Sequence, residues 1–193
     1  MPPKPKITKD MILNAVLEIT RKTGFDAVNA RSIAGRLQCS TRPIFTCYEN
    51  MEGLKAEFLD FAFAFYSQYV ADYGKSENIP PSLLLPLSYI EFAKEETNLF
   101  KLLFISDMDL DMTEARDFYK EIGNEEKAKA FSAMIGVRPE RGKEIFLDLF
   151  LYTHGIAVLT ATGKLSFDRH VSEKMLLNFL SASVSQESER TGA

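Results

Sequence analysis

The spacing of the apolar residues is the feature that most restricts how this chain can fold. Along nearly the whole sequence apolar side chains recur every three or four residues, which is the period of an α-helix, and the alternation typical of a half-buried strand is almost absent. The pattern therefore predicts an all-α fold. The predicted helices span about residues 9–22, 30–37, 41–48, 52–73, 81–95, 97–105, 113–134, 139–162 and 167–185.

Three polar residues near the N-terminus stand where helix caps are expected. Thr8, Asn29 and Ser40 each precede a helical run, and their side-chain oxygens can accept from the unpaired backbone N–H groups of the first turn. Gly24 follows two cationic residues, a common ending for a helix. The sequence therefore predicts three short helices in succession, the second and third separated by a turn of about three residues.

Charge is distributed unevenly along the chain. Residues 1–55 hold nine Lys/Arg against five Asp/Glu, whereas the remaining residues hold fourteen against twenty-two. A basic segment joined to an acidic body is typical of a DNA-binding region attached to a different kind of domain. We therefore predict a DNA-binding domain over residues 1–50 and a second helical domain over residues 51–193.

Cysteine usage and the apolar stretches bear on where the protein works. Cys39 and Cys47 are too few for a disulfide framework and lack metal-ligand spacing, and the N-terminus has no secretory signal. The apolar stretches 58–70 and 145–162 contain charged residues and fall short of an uninterrupted membrane span. We therefore expect a cytoplasmic protein with reduced thiols and no membrane segment.

Residues 25–54 predict a helix-turn-helix, in which one short helix braces a second that can enter the major groove. Hydroxyls at the start of the second helix suit phosphate oxygens, and Arg42 suits the two acceptors of guanine. Ile44 should face inward against the first helix of the pair. Pro43 falls in the first turn, where its missing N–H is tolerated.

This segment resembles the N-terminal region of the tetracycline-repressor (TetR) family, over about residues 7–55. The shared pattern comprises Gly24-Phe25, the cap Asn29, Ile33-Ala34, Ser40 at the start of the recognition helix, and the aromatic positions Phe45 and Tyr48. The chain departs from the family at Gln38, which replaces the turn glycine, at Phe45, which lacks a tyrosine hydroxyl, and at Met51, where a lysine is usual.

The resemblance implies a set of DNA-contacting residues. These are Arg31, Ser40, Thr41, Arg42, Pro43, Phe45, Thr46, Tyr48 and Lys55. Lys4, Lys6 and Lys9 are further candidates, for neighbouring phosphates or the minor groove. The partner would be double-stranded DNA with a palindromic operator, and the activity would be transcriptional regulation, by family habit repression.

The resemblance also implies that the second domain binds a small effector and forms a homodimer. The domain is rich in aromatic residues, and apolar pockets with a few polar groups are typical of effector sites. The candidate ligand-binding residues are Phe65, Tyr66, Tyr89, Tyr152 and His154, of which any one can equally be a core residue. The two last long helices are apolar enough to pack against their symmetry mates in a four-helix bundle.

Other classes of function have less support in the sequence. Asp107, Asp109 and Asp111 begin like a calcium loop, but Met112 and Phe118 stand where glycine and glutamate are needed. There is no nucleophile–base pair, phosphate-binding loop or metal motif, so we expect no enzyme, no metal and no cofactor. The alternative that remains is a TetR-like protein whose N-terminal domain binds protein partners rather than DNA.

Overall fold

The computed structural model describes residues 6–76, 79–108, 110–121 and 123–191, and throughout these ranges the chain forms helices and connecting turns without a β-strand. The prediction of an all-α fold is confirmed. Lys4 and Asp109 lie outside the described residues. The α-helices are α1 (Lys9–Thr23), α2 (Ala30–Arg36), α3 (Arg42–Cys47), α4 (Met51–Ser76), α5 (Pro81–Glu95), α6 (Thr97–Lys101), α7 (Asn124–Ile135), α8 (Pro139–Ala161) and α9 (Arg169–Thr191).

Two of the predicted caps are confirmed. The Thr8 hydroxyl accepts from the backbone N–H of Met11, and the Asn29 side chain accepts from the N–H groups of Arg31 and Ser32. Ser32 in return accepts from the Asn29 N–H, which closes a capping box at the start of α2. The unpaired donors of both helices are therefore satisfied by side chains, as their sequences predict.

The predicted start of the third helix is wrong. Thr41, rather than Ser40, is its first flanking residue, and α3 begins at Arg42 with Pro43 in its first turn. The turn before it extends further because Gln38 adopts a positive φ of 51°. That conformation, which glycine reaches most easily, allows the Cys39 N–H to donate back to the Ala34 carbonyl.

The helix predicted over residues 113–134 is also wrong in its first half. A 3₁₀ helix spans Ala115–Lys120, and Gly123, with a φ of 86°, precedes the separate α7. Asp117 accepts from the N–H groups of Thr113 and Glu114, which fixes the 3₁₀ turn. After α6, the segment Leu102–Ser106 widens into a π-helical turn closed by the Asp107 N–H and the Leu102 carbonyl.

The described residues form two compact units that differ from the predicted domains. Unit 1 contains residues 1–68 and 96–107, and unit 2 contains residues 69–95 and 108–193. Unit 1 extends past residue 50 because Phe58 of α4 stacks on Phe25, with ring centroids 5.7 Å apart. The division at residue 50 stays a prediction about function.

Each unit has its own apolar core. In unit 1 the fully buried side chains include Ile12, Ile33, Ile44, Leu54 and Phe58. In unit 2 they include Leu83, Leu87, Phe92, Ile145 and Leu176. The first core joins α1 to α4, so it fixes the side of α3 that faces away from solvent.

Within unit 2, α8 is both a core helix and unusually apolar. Among the described residues it is the one helix long and apolar enough to cross a membrane by length and composition. That test is also passed by core helices of soluble proteins, and α8 buries Ile145, Leu149 and Ala157 inside its unit. Its composition is accounted for in part by packing against α5, α7 and α9.

Candidate functional site

The outward sides of α2 and α3 form the first candidate site, which we call the α2–α3 surface. Ile33 and Ile44 are fully buried, so each of these short helices has a fixed inner side. Arg31, Ser40, Arg42, Phe45 and Thr46 are exposed and define the α2–α3 surface. Thr41 and Pro43 are half-buried beside them. The structure thus brings seven of the nine predicted DNA-contacting residues to the surface of one small segment.

The arginines of unit 1 differ in whether they have an acidic partner. Arg21 donates to both carboxylate oxygens of Glu96, from Nε to Oε2 at 2.7 Å and from Nη2 to Oε1, and Arg36 forms an ion pair with Glu18. Arg31 and Arg42 have no carboxylate within ion-pair distance among residues 6–76 and 79–108 or in the other described ranges. These two guanidinium groups are therefore available to an external anion or base edge.

The hydroxyl groups of the α2–α3 surface are in part already bonded. Thr46 Oγ1 donates to the Arg42 carbonyl at 3.0 Å, which leaves its lone pairs for a donor from outside. Thr41 flanks α3 but makes no side-chain capping bond to it. The Thr41 hydroxyl is consequently not committed to the helix as a cap, and the same segment carries the exposed Ser40.

Tyr48 does not fit the predicted phosphate contact. Its side chain is only 5% exposed, and its hydroxyl is buried. Lys9 Nζ lies 4.8 Å from the centre of the ring and 2.5 Å from Glu57 Oε2. Burial, and then the charge of Glu57, raises the pKa of the Tyr48 hydroxyl. Tyr48 therefore acts in this structure as a packing residue between α1 and α4.

Lys55 is also engaged within unit 1. Its Nζ lies 2.5 Å from Asp107 Oδ1 and 5.7 Å from the centre of the Phe25 ring. A phosphate would have to compete with the Asp107 carboxylate for this ammonium group. The carboxylates that hold Lys9 and Lys55 are 48 and 52 residues away in sequence, so no local pattern predicts them.

The second candidate site is a polar pair in unit 2. Tyr89 on α5 is 8% exposed, and its hydroxyl lies 2.9 Å from Nδ1 of His154 on α8. Phe150 stacks on the imidazole, with ring centroids 5.7 Å apart at an angle of 23°. Burial lowers the pKa of His154, which favours its neutral form. Two of the five predicted effector residues therefore meet in an apolar setting.

The other three predicted effector residues have aromatic or cationic partners within their own units. Tyr152 stacks on Phe179 of α9, with ring centroids 5.1 Å apart. Phe65 and Tyr66 belong to unit 1, where Arg21 lies over the Phe65 ring and Tyr66 packs edge-on against Phe104. The predicted set is thus divided between the two units, with Phe65 and Tyr66 in unit 1 and the other three residues in unit 2.

Two open clefts are lined by residues that are not among the predicted effector-binding residues. One, of about 470 Å³ in unit 2, is lined by Arg116, Tyr119, Lys120, Lys143 and neighbouring residues. The other, of about 460 Å³ in unit 1, lies between Asp10 and Asn14 of α1 and Arg36 of α2. Both clefts are bordered by charged side chains as well as apolar ones. Within the described ranges no group of three or more His, Cys, Asp or Glu residues is placed to hold a metal ion.

The α2–α3 surface and the Tyr89–His154 pair are therefore the two places where the structure gathers the predicted residues. In comparisons with models of known protein families and with the sequences of characterised proteins, the chain matched none of them.

Proposed function

We propose that this chain is a DNA-binding transcriptional regulator of the TetR type, a repressor that a small apolar or aromatic ligand releases from a palindromic operator. The observation that carries the proposal is the two-sided nature of α3. Ile44 is fully buried, while Arg42, Phe45 and Thr46 on the other side are exposed. A short helix held from behind, with cationic and hydroxyl groups outward, is what a recognition helix requires.

In this proposal α2 and α3 act as a helix-turn-helix, with α2 bracing α3 against the phosphate backbone. Arg42 stands at the first position of α3, without an acidic partner among the described residues, and donates two hydrogen bonds to guanine O6 and N7. Such a bidentate pair contributes about 1–3 kcal/mol of discrimination between bases. Arg31 at the start of α2, with the hydroxyls of Ser40 and Thr41, supplies phosphate contacts.

Fewer residues are proposed to contact phosphate than the resemblance implies. Lys9 and Lys55 are bonded to Glu57 and Asp107, and the hydroxyl of Tyr48 is buried. We therefore assign the backbone contacts to the exposed Lys6, Arg31 and Ser40 and the half-buried Thr41, and leave Tyr48 to the core.

A homodimer through α8 and α9 is part of the proposal, and it is supported by the apolar residues that unit 2 leaves uncovered. Leu151 and Leu159 on α8 are 51% and 47% exposed, and Gly155 between them has open space around its Cα. Val171 and Leu177 on α9 are also exposed. A second copy related by two-fold symmetry would cover these side chains in a four-helix bundle. Half-sites on DNA would then be about 34–36 Å apart or a multiple of that distance.

The effector is proposed to bind beside Tyr89 and His154, where one hydroxyl and one imidazole lie among apolar side chains. Release from DNA requires that the effector binds one of two conformations more tightly. Helix α4 is continuous from Met51 to Ser76 and contributes residues to both units. We propose that α4 carries the conformational change. An effector titration that left operator affinity unchanged would refute this part.

Selection of bound duplexes from a random DNA pool tests DNA binding directly. We expect an enriched palindrome with a guanine in each half-site whose preference disappears in Arg42→Ala. Arg116→Ala removes the same charge from an exposed position of unit 2 and serves as the matched control, with the wild-type preference retained. A pool that stays random after repeated rounds at low salt would overturn the proposal.

The contacts that remove Lys9, Lys55 and Tyr48 from the proposed phosphate contacts also favour a second function. With Lys9 and Lys55 paired with carboxylates and Tyr48 buried, unit 1 offers fewer groups to a DNA backbone than the predicted set implies. The alternative is a TetR-like protein whose α2–α3 surface binds a protein partner. Under this alternative, the random pool gives no enrichment, and an Arg42→Ala variant loses a protein complex instead.

A further inference from the structure

Phe45 is the most exposed phenylalanine of the chain. Its side chain is 51% exposed, compared with 42% for Phe63 and 38% for Phe167. Phe63 is in addition supported by the edge of Phe104, with ring centroids 5.8 Å apart. Phe45 has no such ring partner in the described part of the chain. The fold therefore gains little from this ring, which projects from the centre of α3.

Two neighbours of Phe45 on its helix are polar and also exposed. Arg42 precedes it by three residues, and residues three apart share one side of a helix. Thr46 is exposed next to it. A ring in this position has no donor or acceptor for a phosphate oxygen or for the polar edge of a base. The apolar group that a major groove offers is the C5-methyl group of thymine.

We propose that Phe45 determines part of the operator sequence by contacting a thymine methyl group. The inference rests on the proposed function, since it requires that α3 enters the major groove. Phe45 lacks the hydroxyl of the tyrosine that is usual at this position. Its ring is proposed to make an apolar contact to a base in place of a hydrogen bond to a phosphate.

The spacing along α3 places this thymine close to the guanine that Arg42 contacts. Three residues of an α-helix span about 4.5 Å along the axis, and successive base pairs of B-DNA are about 3.4 Å apart. The thymine therefore lies one or two base pairs from the guanine in each half-site. The enriched operator should contain such a pair, on the same or on opposite strands.

Replacement of thymine by deoxyuridine tests the proposal, because it removes the methyl group and keeps the base pair. In the selected operator, each thymine near the guanine is replaced in turn and dissociation constants are measured. Burial of one methyl group corresponds to about a fourfold change in affinity for one half-site, and about fifteenfold when both half-sites are changed. Wild-type protein should show this loss at one thymine position, and Phe45→Ala should bind both DNAs equally.

Phe63→Ala is the matched control, because it truncates another exposed phenylalanine of unit 1 that lies outside the α2–α3 surface. It should keep the wild-type preference for thymine over uracil. Circular dichroism establishes that both alanine variants are folded. Phe45→Tyr, which keeps the ring, should keep the preference as well.

The outcomes separate this inference from the proposed function. Enrichment of a palindrome with equal affinity for thymine and uracil at every position would overturn the role of Phe45 and leave DNA binding intact. A preference for thymine over uracil that persists undiminished in Phe45→Ala would also overturn the role of Phe45 and leave DNA binding intact. Absence of any enriched sequence would overturn both.

Discussion

Gln38 holds a backbone conformation that glycine usually supplies. Its φ of 51° is the one positive value at a non-glycine residue among the described residues. For a residue with a Cβ atom this conformation is unfavourable by about 1–2 kcal/mol. The surrounding turn between α2 and α3 keeps it, because its neighbours close hydrogen bonds from Gln38 to Gly35 and from Cys39 to Ala34.

Gln38→Gly should therefore stabilise the protein. The relief of strain exceeds the greater chain entropy of glycine in the unfolded state, so the free energy of unfolding should rise by about 0.5–1 kcal/mol. Urea denaturation followed by circular dichroism measures the change. The same substitution at Gln68, an exposed position inside α4, should lower the free energy of unfolding by about 1 kcal/mol. A loss of stability in Gln38→Gly would contradict the assignment of strain.

His154 should make stability depend on pH just below neutrality. Burial holds its pKa below the ordinary value of 6.5, so the unfolded chain binds a proton more readily than the folded chain. The free energy of unfolding is therefore highest above that value, and it falls as the pH is lowered through about 6.5 toward the folded pKa. Urea denaturation between pH 5.5 and pH 7.5 measures the fall.

His154→Gln should remove this part of the pH dependence, whereas His170→Gln, at an exposed position of α9, should retain it. Both variants keep the carboxylates, which titrate at lower pH, so the comparison isolates the half-buried imidazole of His154. Identical pH profiles for the wild type and His154→Gln would show that the imidazole is not the titrating group.

At the scale of elements, α7 and α8 approach each other closely in unit 2. Gly142 faces Ser132, and a Cβ atom on Gly142 would lie 1.8 Å from Ser132 Oγ and 2.8 Å from its Cα. The Cα belongs to the backbone of α7, so a rotamer change of Ser132 cannot make room. The absence of a side chain at this position is what allows the two helices to pack.

Gly142→Ala should separate α7 from α8 and lower the free energy of unfolding by about 1–3 kcal/mol, as for other overpacked cores. Denaturant unfolding of the variant and the wild type measures this difference in the free energy of unfolding. Gly35→Ala places the same methyl group where no atom lies within 4 Å, on the exposed side of α2. That variant should be as stable as the wild type or more so, since alanine is the better helix former. Equal stabilities for the two variants would argue against the tight contact.

The elements that could be predicted from the sequence are those with local signals. The bounds of α5 and the caps Thr8 and Asn29 follow from proline, hydroxyl and amide side chains near the helix ends. The break before α7 was missed because Gly123 lies within a run of helix-forming residues. The 3₁₀ helix before this break is fixed by Asp117, whose hydrogen bonds from the N–H groups of Thr113 and Glu114 depend on the folded geometry.

The residues of the candidate site also fall into two groups, those that the local sequence predicts and those whose setting depends on tertiary packing. The exposure of Arg42 and the burial of Ile44 follow from helical period, and the sequence predicts both. The burial of Tyr48 and the pairing of Lys55 depend on Glu57 and Asp107, whose positions are decided by tertiary packing. Periodicity assigns a side of a helix, but it does not say which distant residue will cover that side.

For the whole molecule, the uncovered apolar residues of α8 and α9 predict association of two chains. Leu151→Glu together with Leu159→Glu should place charges in the proposed interface, at positions where one chain alone exposes about half of each leucine. We expect sedimentation equilibrium to give twice the mass of one chain for the wild type and the mass of one chain for the variant. Met134→Glu, at an equally exposed position of α7, should leave the wild-type mass unchanged.

Unit 1 is discontinuous in sequence, since residues 96–107 complete a unit that begins at the N-terminus. Glu96, the partner of Arg21, and Asp107, the partner of Lys55, are both in this late segment. During synthesis the first four helices therefore leave the ribosome without these carboxylates. Arg21 and Lys55 can pair with Glu96 and Asp107 only after residues 69–95, which belong to the other unit, have also been made. Maturation of unit 1 is thus tied to the order in which the chain is translated.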